Sequence, residues 1–230
     1  MAITLPAVIF LYDLVLRDVE RDRLTIQHVL TTLQKRAYFY SGFVAVSRVY
    51  VFIRFFILSS PGGYLNSSYG SLVERIIYLP GHLFSFIKLA IFPINLTADY
   101  AFSYPESFFN VSNLLGFAGV MGLAGLSFLV YRYSKAVFFG IWWFLITLFP
   151  VSNLIEIYSP FAERYLYIPI IGFCLVLPTV IDGVASRWFT RPAVATVVTL
   201  IPTLVILGLY STTTLARNPD WQNNFVLWSK

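Results

Sequence analysis

Apolar and polar positions alternate in long blocks along this chain. Apolar runs occupy residues 2–16, 37–58, 76–96, 112–130, 136–151, 165–181 and 193–215. A bilayer-crossing helix needs about 20 mostly apolar residues. Runs of that size, closely spaced, predict an all-α, polytopic membrane helical bundle. The polar blocks between them are short. In 17–36, Ile26, Val29, Leu30 and Leu33 recur at i, i+3, i+4 and i+7, the spacing of one helix face. With basic residues on both sides, this segment reads as a helix on the cytoplasmic membrane surface.

Lys and Arg positions set the expected orientation. Arg17, Arg21, Arg23, Lys35 and Arg36 follow the first run; Arg132 and Lys135 separate the fourth and fifth; Arg187 and Arg191 separate the sixth and seventh. The bias of basic residues toward cytoplasmic loops places all three segments inside. Parity then makes 59–111 begin and end outside, so the run 76–96 cannot be a simple span. Pro80, Gly81, His82, Lys88 and Pro93 interrupt it, which suits a re-entrant or interfacial helix beside protein rather than lipid. The expectation is about six spanning helices plus this one, with the tail 216–230 outside.

Composition agrees with a lipid environment. The chain is 58% hydrophobic and 12% charged, with mean hydropathy +0.74, against about 25% charge in a soluble domain. The net charge of +5 reads as loop topology, not as a nucleic-acid surface. The single Cys174 can form no intrachain disulfide. No phosphate-binding glycine loop, HExxH or metal-spaced Cys/His cluster occurs, so neither metal nor cofactor is expected.

Ionisable residues within apolar runs are costly and mark sites. Arg48 lies near the middle of its run and Arg54 nearer the outer end. Glu163 and Arg164 stand where the chain re-enters the membrane from outside. The segment 93–105 offers Asp99, Tyr100 and Tyr104 near the outer surface. Of the two histidines, His28 is expected to be solvated; His82, beside Pro80 and Gly81, is the more interesting. Asn66, Asn95 and Asn110 head Asn-x-Ser/Thr sequons on the expected outer side. On these grounds alone, anchoring at an aromatic belt is the better account of Glu163 and Arg164, while the tyrosines suit headgroup anchoring and sugar stacking equally.

Several phrases in order resemble one family. FPVSNLIEIYSPFAERYLYIPIIGF at 149–173 resembles an "LP-x-SNL … AERYLYLPS-x-G" signature. TLPAVIFLYDL at 4–14, Arg54, LAIFPINLTADYAF at 89–102 and the tail LARNPDWQNNFVLW support it. The resemblance is to the membrane domain of TMTC-type (transmembrane and tetratricopeptide repeat) O-mannosyltransferases and their bacterial GT-C-type relatives. It implies that 1–215 is the carboxy-terminal part of a GT-C-type membrane domain. Residues 216–230 would then be a linker toward a repeat domain. It also implies a partner in the missing amino-terminal half, where the general base is expected, so no catalytic residue is assigned here and the isolated chain is expected to be inactive. The implied activity is transfer of a sugar, typically mannose, from a polyprenyl-phosphate carrier to a protein Ser/Thr hydroxyl outside the cytoplasm. Arg164, Glu163, Arg54, Arg48, His82, Lys88, Asp99 and Tyr100 are the implied carrier-binding residues. Relatives often carry an Asp-Asn-Pro phrase that is missing between 59 and 75. A transporter or lipid flippase module, or a non-catalytic membrane scaffold, are the alternatives. The chain shows no inverted hydropathy repeat of the kind many transporters carry.

Overall fold

The structure, a computed structural model, describes residues 4–17, 25–57, 72–94, 96–97, 100, 109–154 and 161–222. All regular elements among them are helical. They are α1 (Leu5–Tyr12), α2 (Ile26–Lys35), α3 (Ala37–Phe52), α4 (Leu72–Ile91), α5 (Val111–Val130), α6 (Lys135–Leu148), α7 (Ile170–Trp188) and α8 (Pro192–Arg217). Both α1 and α3 continue into π-helical turns, Asp13–Arg17 and Ile53–Ile57. Local chemistry sets several helix starts. The Asn110 side chain accepts from Ser112 N at 2.9 Å and Ser134 Oγ from Val137 N at 3.3 Å, each satisfying a donor the first turn leaves unpaired. Pro192 opens α8, where its missing N–H costs nothing.

Among the described residues, three helices are long and apolar enough to cross a membrane: α5, α7 and Ala193–Arg217 of α8. Helix α7 begins later than the apolar run suggests. Glu163–Leu166 forms a 3-10 turn and Pro169 caps the α-helix. With 14 residues, α6 is shorter, but eight of these are buried, so it is the hub. Its sequence KAVFFGIWWFLITL is apolar on every side, as a helix enclosed by others should be. The outer helices expose large apolar side chains instead, such as Leu204 and Leu207 on α8 and Phe52 on α3. Lipid accepts such a surface and water does not.

Residue pairings give the helix directions. Ser127 meets Trp142 and Tyr131 meets Phe138, so α5 and α6 are antiparallel. Trp143 Nε1 donates to the Ile168 carbonyl at 3.0 Å while Gly140 faces Val176, so α6 and α7 are antiparallel too. Asp182 faces Thr199 across the α7–α8 turn. The end of α1 packs on Tyr131, Phe138 and Phe139. The basic segments after α1, between α5 and α6, and between α7 and α8 therefore share one end of the bundle.

Helix α4 differs. Asn113 Nδ2 donates to the Ile77 carbonyl at 3.0 Å, Gly81 faces Gly116 and Phe84 faces Gly119. Both numbers rise together, so α4 and α5 run in the same direction. The last turn of α4 lies level with the middle of α6 and α7: Ile87, Ala90 and Ile91 share a cavity with Gly140, Phe144 and Val176. The chain must then return past this depth before α5 can begin.

Glycine permits these approaches. A Cβ on Gly116 would lie 2.6 Å from Gly81 N and 2.8 Å from the Pro80 carbonyl oxygen. One on Gly172 would meet the Gly140 carbonyl and lie 3.0 Å from Phe144 N. Small residues at crossings let backbones touch, the main source of helix association in lipid.

At the basic end a buried carboxylate ties three helices. Asp13 is 3% exposed. Its Oδ1 and Oδ2 accept from Arg36 Nη1 at 3.1 and 3.0 Å, and Oδ2 also accepts from Tyr40 Oη at 2.7 Å. In the π turn that begins at Asp13, the Leu14 carbonyl oxygen lies 3.3 Å from His28 Nε2. His28 is thus buried, not solvated as its sequence context suggested. Helix α2 turns His28, Val29 and Thr32 toward the bundle and leaves Ile26, Leu30 and Leu33 exposed.

Two outcomes follow for stability in detergent or nanodiscs. Gly172→Ala or Gly116→Ala is expected to lose about 1–3 kcal/mol by forcing packed helices apart, whereas Gly122→Ala, with open space around it, is neutral. Equal unfolding midpoints for all three would refute the close-contact account. Asp13→Ala leaves the Tyr40 hydroxyl and the Arg36 guanidinium without their acceptor; about 2 kcal/mol should be lost. That is less than for a fully buried pair, because Arg36 is 29% exposed and water screens it. A shift in midpoint below about 0.5 kcal/mol would show the clamp to be passive.

Candidate functional site

The site forms at the end opposite the basic segments. Helix α6 ends in the 3-10 turn Phe149–Val151. Asn153, at φ 61°, then takes the left-handed conformation, which Asn tolerates better than most residues. The chain returns at Phe161, and the 3-10 turn Glu163–Leu166 presents its side chains before α7 begins.

Glu163 is the node. Tyr100 Oη donates to its Oε1 at 3.0 Å, and Arg217 Nη1, from the last residue of α8, donates to its Oε2. The backbone N of Thr97 donates to Tyr100 Oη at 3.4 Å. Each carboxylate oxygen thus has a donor from a different segment: the return after α4 supplies one, the end of α8 the other. The carboxylate is 25% exposed and the guanidinium 18%, a setting where a charge-assisted bond is stronger than at an open surface. Burial foremost, with the Glu163 carboxylate adding to it and the Thr97 hydrogen bond opposing it, raises the Tyr100 pKa above its ordinary value. The phenol therefore stays a neutral donor throughout the physiological range.

An aromatic floor lies beneath. Phe161 and Phe86 are buried, their ring centroids 4.4 Å apart. Tyr100 meets Phe161 edge-on at 4.9 Å. His82, also buried, meets Phe86 at 5.2 Å and Phe161 at 5.8 Å. The floor is joined to Glu163 through Tyr100, whose ring packs on Phe161 and whose hydroxyl donates to the carboxylate.

Two cavities flank Glu163. One, of about 360 Å³, is lined by the polar Glu163, Arg217 and Asn218 and by the apolar Leu89, Ala90, Leu166 and Ile170. Tyr210 Oη crosses it to donate to the Ala90 carbonyl at 2.7 Å, satisfying one of the orphan carbonyls at the α4 terminus. The other, of about 380 Å³, is bounded by Thr97, Glu163, Arg164 and Tyr167. Arg164 is exposed, its guanidinium 5.3 Å from the Tyr165 ring. Neighbours in sequence, Glu163 and Arg164 do not bond each other; they open onto one depression.

Of the residues singled out from sequence, the fold brings Glu163, Arg164 and Tyr100 together, with His82 in the floor below. Lys88 is exposed and sits 5.9 Å from the Phe84 ring, on the α4 side away from Phe86. Arg48 is exposed in a groove between α1 and α3 with Pro6, Ser47 and Phe52, apart from Glu163. The Arg54 side chain and Asp99, as well as Tyr104, Asn66 and Asn95, lie outside the described residues. Arg217 went unrecognised. Its signal was present: a cation closing the last turn of a long apolar helix, at the end without other basic clusters. Among the described residues no group of His, Cys, Asp and Glu could hold a metal ion.

Comparison with known proteins adds one likeness. No family model and no solved structure matches the chain. It is 30% identical over 130 residues to the protein O-mannosyl-transferase TMTC3 of Mus musculus, a match covering 54% of this chain and 13% of that protein. The chain thus spans well under a fifth of the relative it matches. Together with the three described helices long and apolar enough to cross a membrane, the likeness supports a membrane protein with a TMTC-like relationship.

Proposed function

We propose that this chain is part of a membrane-embedded glycosyltransferase that moves a sugar, mannose by analogy with its relative, from a polyprenyl-phosphate carrier to a protein hydroxyl on the non-cytoplasmic side. The observation that carries this reading is Glu163 on the shared wall of two cavities, with Arg217 lining the apolar groove on one side and Arg164 lining the depression on the other. A carrier of this class has a phosphate head and a hydrocarbon tail. The groove offers the Arg217 guanidinium together with Leu89, Leu166 and Ile170. In the transfer, the bond from the sugar's anomeric carbon to the phosphate oxygen breaks as the bond to the acceptor oxygen forms. Negative charge grows on the departing phosphate, where fixed guanidinium groups stabilise it. The acceptor's proton goes to a general base, which no described residue supplies.

Six spans and a re-entrant α4 belong to the same proposal. The shared end of the basic segments supports a cytoplasmic face there. The common direction of α4 and α5 supports an α4 that enters and leaves by the outer face.

Two measurements test it. Arg164→Ala in the complete folded protein should bind polyprenyl-phosphate mannose about tenfold more weakly, about 1.4 kcal/mol; unchanged affinity removes Arg164 from the phosphate site. In a Cys174→Ser background, Ser60→Cys and Phe109→Cys should both react with a membrane-impermeant thiol reagent applied outside intact cells. Position 109 spares the Asn110 cap. Reaction at one position alone means that α4 crosses the membrane.

A further inference from the structure

Glu163 already occupies the place an anionic head group would take. It stands between the two cavities, belonging to the walls of both, and its Oε2 holds the Arg217 guanidinium. A carboxylate and a phosphate offer the same guanidinium a similar pair of acceptor oxygens. If an incoming phosphate took Arg217, the carboxylate would not be stranded: Oε1 keeps its 3.0 Å bond from Tyr100 Oη, and that phenol is held in place by Thr97 N and the Phe161 ring. Arg217, by contrast, ends α8, so its side chain can turn between Glu163 and the groove without disturbing the helix. The exchange replaces one charge-assisted bond by another, and apolar contact of the tail with Leu89, Leu166 and Ile170 drives it.

We infer that Glu163 is an internal stand-in for a lipid-borne phosphate: the ligand displaces it from Arg217. The freed carboxylate, still anchored by Tyr100, then faces the groove as an acceptor for a hydroxyl of the head group. This rests on the lipid-phosphate reading above and adds that Glu163 opposes phosphate binding while orienting what is attached to it.

The test uses the full chain in nanodiscs, with farnesyl phosphate as probe and farnesol and inorganic phosphate as controls. Glu163→Gln keeps the shape and the Tyr100 bond but removes the competing charge. It should tighten farnesyl phosphate binding about tenfold, which is about 1.4 kcal/mol, and Glu163→Ala should shift it the same way. Arg217→Gln should weaken it. Farnesol should not respond to the Glu163 changes, and inorganic phosphate should bind far more weakly than the lipid. Equal binding of inorganic phosphate would mean that the site takes free anions and would overturn the lipid assignment. Wild-type binding that is unchanged or weakened by both Glu163 substitutions overturns the stand-in role and leaves the phosphate site standing. Absence of farnesyl phosphate binding in the wild type and in both Glu163 variants overturns the two readings together. Should the variants not fold, the difference infrared spectrum of the unaltered chain decides. Farnesyl phosphate must shift a carboxylate antisymmetric stretch as the Arg217 bond breaks; no shift on saturation refutes the displacement.

Discussion

Close backbone contact at two glycine pairs is the constraint on which the rest of the structure depends. In lipid no hydrophobic force draws one apolar helix to another, so contact quality decides which helices pair. Gly140 against Gly172 joins α6 to α7, and Gly81 against Gly116 joins α4 to α5. The first pair sets where the 3-10 turn bearing Glu163 emerges, since that turn leads straight into α7. The second sets the tilt and depth of α4, and through it the positions of Phe86 and His82. Phe161 fits over Phe86 only when both crossings are in place.

The common direction of α4 and α5 has a functional consequence. A helix that stops at the middle of its neighbours obliges the following segment to return through protein. That return carries Thr97 and Tyr100 to Glu163. Polar backbone at this depth is tolerated because it lines a cavity and is bonded within it. The site is thus assembled from separate stretches that supply Thr97 and Tyr100, residues 161–167, and residues 210–218. Its counterpart at the other end, Asp13 with Arg36 and Tyr40, is 3% exposed and enclosed by its partners. It reads as a joint, whereas Glu163 lies beside open space.

How much of this was legible beforehand varied with range. Glu163, Arg164 and Tyr100 stood out as polar residues at the edges of apolar runs, and the fold brings them together. Arg217 did not, because a cation in the last turn of a helix is ordinary; only the return of α8 to the α6–α7 connection makes it a partner of Glu163. Lys88 looked equivalent to His82 from sequence, both lying in the same interrupted helix. Six residues, at about 100° each, put them on different faces, and packing decided which face turned inward. His28 was misjudged because its partner is a backbone carbonyl in a π turn, which no side-chain pattern announces.

The order of apolar and polar blocks determined, by itself, that the chain is helical and lives in lipid, since hydrophobicity and helix length are local sums over neighbouring residues. It also marked α4 as unlike the other apolar segments, through its proline, glycine and charge. Which helices touch, which way α4 runs beside α5 and which cation meets Glu163 were decided only by the tertiary structure. These are contacts between residues up to 120 positions apart. Their energies depend on shapes that exist only once the backbones have closed on one another.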